Sequence, residues 1–140
     1  MALLTDIADD LVAVLNAGTF SQPFTARRAY RPVFDLQEMK ELHVTVVPKG
    51  IEMATAGRGL VQDDVQIDVA VQKKLAAADD SEIDELMGLV QEIAEFVRAK
   101  GKFADATWVK TENVPIYSQE HLGELRQFTS VITFLFRVVS

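Results

Sequence analysis

The chain has no cysteine in its 140 residues. That excludes a disulfide framework, a thiolate metal site and a cysteine nucleophile, and it fits a reducing cytoplasm. Histidine is nearly as scarce. His43 and His121 are the two present, neither has a neighbour at metal-ligand spacing, and two imidazoles with scattered carboxylates make a weak zinc set. No apolar run reaches the ~20 residues of a membrane span. The opening MALLTDIADDLVAVL lacks a basic n-region, and Asp6, Asp9 and Asp10 break any apolar core, so no signal peptide is expected. Positive charge is also short: 14 Lys and Arg stand against 21 Asp and Glu, a net charge of −7. This balance disfavours a dedicated nucleic-acid binder, which carries a basic stripe. The basic cluster Arg27, Arg28 and Arg31, with Lys49 and Arg58 elsewhere, reads as a solvated strand or loop.

What is present is an ordinary globular composition, 49% hydrophobic and 25% charged, long enough for one domain with a sizeable core. The strongest local signal is Ser81–Gly101. Ile83, Leu86, Met87, Val90, Ile93, Ala94 and Val97 recur at i, i+3, i+4, i+7, the spacing of a helix with one apolar stripe. Asp80 or Ser81 caps its start, Glu82, Asp84 and Glu85 suit the positive end of the dipole, and Gly101 suits the C′ position. Leu89 and Phe96 widen the stripe at its rim, so they are expected to make a second contact. A shorter helix is read over Thr5–Asn16, with Leu4, Ile7, Ala8, Leu11, Val14 and Leu15 inward.

The rest reads as strands. Phe24–Phe34 is extended up to Pro32, and Asp35–Glu38 has capping-box spacing. Leu42–Pro48 is a short strand ended by a Pro48-Lys49-Gly50 turn. Gly57 and Gly59 make Ile51–Leu60 either a mobile arm or an ordinary hairpin tip around Arg58. Val61–Gln72 alternates cleanly: Val61, Val65, Ile67, Val69 and Val71 face a core, and Asp64, Gln66 and Asp68 face water, with Asp63 an exception in the apolar phase. Ala106–Asn113 is a further strand, and Ser118 caps a helical turn. The closing run Phe128–Val139 is apolar on both faces, with Val131, Leu135 and Val139 opposite Phe128, Ile132, Phe134, Phe136 and Val138. A strand apolar on both sides is covered on both sides. Two helices cover one face of a four- or five-stranded sheet, which leaves loops or another subunit for the second. The expected fold is α+β, a two-layer sandwich of one long and one short helix on a mixed or antiparallel sheet, as a single domain.

No residue set nominates chemistry. Ser118-x-x-His121 is better explained as a cap. Asp63, Asp64 and Asp68 lack the glycine-bearing loop of a calcium site. Gly57-Arg58-Gly59 is too short to cradle a phosphate, and the helix carboxylates Glu82, Asp84, Glu85, Glu92 and Glu95 are a solvated side. No catalytic residue, metal or cofactor is expected, and a structural or interaction protein is the better class.

The C-terminal segment TENVPIYSQEHLGELRQFTSVITFLFRV resembles the end of the tail-terminator proteins of long-tailed bacteriophages, most closely around Phe128–Thr133. The order of elements is similar to that family over nearly the whole chain. The resemblance implies a homohexameric ring that caps the tail tube, with the tail tube protein and a neck or head-completion protein as partners, located in the virion and assembled in the bacterial cytoplasm. It implies no catalysis. Candidate interface residues are Arg58, Leu89, Phe96, Val131 and Leu135. Asp64 and Asp68 are candidates for an acidic channel lining through which DNA passes without specific binding. The alternatives are another connector, such as an adaptor or stopper, or a small cytoplasmic enzyme or ligand-binding domain with a pocket beneath the sheet.

Overall fold

The computed structural model describes residues 3–30, 41–75 and 80–140. Arg31, Pro32 and the Asp35–Glu38 capping spacing lie outside them. The elements run α1 (Leu3–Ala17), β1 (Ala26–Arg28), β2 (His43–Gly57), β3 (Leu60–Lys74), α2 (Asp80–Lys100), β4 (Lys102–Phe103), β5 (Ala106–Glu112), α3 (Gln119–Leu125) and β6 (Gln127–Val139). The α+β class holds, and the sheet is mixed. It has six strands among the described residues, ordered β1-β2-β3-β6-β5-β4, not four or five. β1 runs parallel to β2, and every other pair is antiparallel. β1 is the paired part of the extended Phe24–Phe34 stretch, and the strand not anticipated is β4, whose two residues are too few to show a periodicity. The helical turn expected after Ser118 is α3.

α2 forms where its stripe predicts. Leu86, Leu89, Val90, Ile93 and Val97 are buried, and the helix stops at Gly101, whose φ of +72° suits a residue without a Cβ. Leu89 is fully buried in the chain's own core, so the expectation that it makes a second contact with another subunit is corrected. Widening the stripe let α2 sink deeper between the sheet and its neighbours. Phe96 is half-buried against Phe20, with ring centroids 5.1 Å apart in an edge-on arrangement. Its second contact is therefore internal: it fastens α2 to the segment after α1. Gly18 belongs to the same junction, since a Cβ there would lie 2.9 Å from ring atoms of both Phe20 and Phe96.

α1 buries Ile7, Ala8, Leu11 and Leu15 and packs on β1 and β2, while α2 packs on β5 and β6. The Asn16 side chain sets where β1 begins. Its amide donates to the Ala26 carbonyl at 3.1 Å and accepts from the Ala26 N–H at 2.7 Å, acting as one rung of a ladder. A second tie runs from the loop after α1 to α2, where Ser21 N–H and Oγ both donate to the Glu92 carboxylate.

The largest departure from expectation is β2. It does not turn at Pro48-Lys49-Gly50 but runs on for 15 residues, taking up one extra residue as a bulge between Pro48 and Gly50. Pro48 has no N–H to give, and a bulge tolerates that loss. The Ile51–Leu60 stretch is strand as far as Gly57 and closes in a tight hairpin at Arg58-Gly59, where φ is +125° at Gly57 and +69° at Gly59. The stretch thus has the geometry of a hairpin tip.

Substituting Leu89→Ala is expected to lower the free energy of unfolding by about 2–5 kcal/mol. Phe96→Ala should cost less, since its ring is only half covered. Urea unfolding followed by circular dichroism measures both.

Candidate assembly surface

β2, β3 and β6 form a three-stranded ribbon longer than the helices above it. Its register sorts the side chains into two faces. On the helix side lie the rungs Val46–Val69–Ile132 and Ile51–Val65–Phe136, then Met53–Asp63–Val138 beyond them. Cover ends along this series. Val65, Ile67 and Val69 have no exposure, whereas Ile51 is 42%, Met53 67% and Val61 46% exposed on the same side. Leu60, at the hairpin tip, is also exposed. Asp63 lies at this boundary, and one of its carboxylate oxygens is buried without a hydrogen-bond partner. The ribbon therefore ends in apolar side chains that the described helices do not reach.

The opposite face carries a different chemistry. Arg137 grips Asp64 with two bonds, Nε to Oδ1 at 2.8 Å and Nη2 to Oδ2 at 3.2 Å, and Gln62 adds a third at 3.3 Å. The Arg137 hydrogen bond holds the Asp64 carboxyl below its ordinary value, against a smaller opposing effect of burial. Thr133 donates to Asp68 at 2.6 Å, with Lys49 Nζ 3.8 Å from the same oxygen. Asp64 and Asp68, the residues expected to line a channel, thus share this face, each with a cation beside it: Arg137 for Asp64 and Lys49 for Asp68. β6 is not apolar on both faces, because Thr133 and Arg137 alternate with Val131, Leu135 and Val139 and reach across to the two aspartates.

Val131 and Leu135 stand on this polar face, level with Ala70 and Gln66 of β3. Leu135 borders a shallow concavity of about 240 Å³ with Gly50, Ile51, Glu52, Asp64 and Gln66. Arg58 sits at the exposed hairpin tip. The candidate residues thus fall in three places. Val131, Leu135, Asp64 and Asp68 share one sheet face, Arg58 caps the ribbon end, and Leu89 and Phe96 belong to the helix layer. Ser118 takes the capping place expected of its turn: its Oγ accepts from the His121 N–H, and His121 Nδ1 lies 2.9 Å from Thr129 Oγ1. Among the described residues no group of three or more His, Asp or Glu is placed to hold a metal ion, and no helix is long and apolar enough to cross a membrane.

Ile51 and Met53 escaped the sequence reading. The signal was there in the alternation Ile51, Met53, Thr55 leading to Gly57, but Pro48 and Gly50 read as the end of a strand.

No protein-family model matches the chain, and no curated protein matches it. Among solved structures it is similar to a chain of the virion of a native gene transfer agent (GTA) particle, with a TM-score of 0.49 and 11% identity, over 99% of this chain and 96% of that one.

Because the Asp64 carboxyl is held low in the folded chain, its pairing stabilises at pH above the ordinary carboxylate value of 3.8. That contribution is lost as the pH falls through the lower folded value. Asp64→Asn is therefore expected to be less stable than wild type at neutral pH, with the gap closing below pH 3.8; thermal unfolding across acidic buffers measures it.

Proposed function

We propose that this chain is a structural subunit of a phage-type virion, a tail terminator that assembles as a ring on the end of the tail tube and meets the neck or head-completion protein on its other side. The observation that carries this reading is the ribbon end. Ile51, Met53, Leu60 and Val61 are exposed together past the last helix, and apolar surface of this kind on a soluble protein marks a place where another protein sits. The closing strand Phe128–Thr133, which resembles the tail-terminator ending, forms the third strand of that same ribbon. The role is non-catalytic and uses no cofactor. DNA passage through the ring would rest on the overall charge of −7 and not on Asp64 or Asp68, whose charges are paired.

The ring is tested by the native mass from light scattering after size exclusion, across concentration and salt, alone and with purified tail tubes that lack a terminator. The expected outcome is a species near six subunits, in solution or on the tubes, that blocks further tube growth. A chain that neither assembles nor binds tubes would overturn the reading. Binding on the portal side in place of the tube would move the assignment to a stopper or adaptor.

A further inference from the structure

Among the described residues the ribbon end has an open edge as well as an apolar face. β1 pairs with β2 only over Val44–Val46, and past Val46 no described strand lies beyond β2. The Val46 carbonyl points to that outer side, accepting from Ala29 N–H at 3.0 Å. Strand alternation, shifted by the bulge after Pro48, turns the backbone groups of Ile51 and Met53 the same way. The far side of the sheet is open too. β4 pairs with β5 only at Ala106 and Thr107. Trp108 N–H points outward to Gly101 O at 2.7 Å, and past the bulge between Trp108 and Lys110 the alternation turns Thr111 outward.

We infer that copies of this chain join edge to edge, β2 of one against β5 of the next, antiparallel, with Ile51 opposite Thr111. The strand directions permit this, since β2 and β5 run oppositely within the sheet. Three features select the register. It is one in which outward backbone groups meet outward backbone groups. On the polar face it sets Glu52 opposite Lys110, and Lys49 beside Glu112, so both charge pairs are complementary. On the helix side it brings Ile51 and Met53 to the groove between α2 and β5 of the neighbour, which is lined by Gln91, Ala94, Glu95, Arg98, Trp108 and Thr111. The contact is heterologous, so it generates a closed ring or a filament and not a two-fold dimer. It deepens the ring reading above and takes its biological setting from that reading.

The absence of cysteine allows a direct test. Glu52→Cys and Lys110→Cys variants are prepared separately, mixed and oxidised, both in solution up to the solubility limit and on tail tubes. The expected result is a disulfide-linked heterodimer in severalfold excess over the homodimers formed by either variant alone. Moving one cysteine off register, Ala54→Cys in place of Glu52→Cys, should remove the excess. In parallel, Glu52→Lys or Lys110→Glu alone should weaken assembly by a factor on the order of ten, and the double reversal should restore it. Tube binding without the heterodimer would overturn this interface while keeping the terminator reading. The heterodimer without tube binding would keep the interface and overturn that reading. Homodimers equal to the heterodimer would exclude a head-to-tail joint.

Discussion

The structure hangs on one face of β3. Val65, Ile67, Val69 and Val71 have no exposure, and they share one core with the apolar stripes of α1 and α2, which pack on the strands to either side. In a strand a slip of one residue exchanges the two faces. Here it would put Asp64, Gln66 and Asp68 under the helices and four aliphatic side chains into water. That penalty locks β3 in place. β2 and β6 then take their registers from β3, one on each side, and their own apolar residues fall on the same face: Val44 and Val46 from β2, Ile132, Phe134 and Phe136 from β6. Each helix presents an apolar stripe, and this face is the apolar partner it needs.

The other face of the same ribbon is kept wet by cross-strand pairs. Arg137 meets Asp64, and Thr133 meets Asp68. Each polar rung breaks what would be a continuous aliphatic strip along Val131, Leu135 and Val139. The arrangement explains why a strand as apolar in composition as β6 needs no second layer of helices. It also moves the surface open to a partner from the middle of the sheet to the ribbon's end and edge, where Ile51, Met53 and Val61 are exposed. The end of α2 is tied to the segment after α1 by Phe20, Phe96 and the Glu92–Ser21 bonds.

Much of this was legible in the chain. Periodicity placed α2 to within a residue or two, since 3.6-residue spacing over some twenty residues has no other solution. Alternation placed β3 and told which of its faces was buried, Asp63 included as the exception. Ser118 was read correctly as a cap. These features depend on neighbours in sequence, and sequence carries them. What could not be read depended on which strands lie side by side. Pro48 and Gly50 look like a turn until β3 is there to hold β2 across the bulge. Leu89 looks like a rim residue until the sheet's curl brings core to both sides of α2. Asp64 and Asp68 look like a plain wet face until β6, some 70 residues later, supplies Arg137 to one and a hydroxyl donor, Thr133, to the other. Composition and period determined the main elements and their buried faces. Strand order and register decided which charges are paired, which helix residues are interior and which edge is left open, because these are contacts between residues far apart in the chain, brought together when β3 is buried.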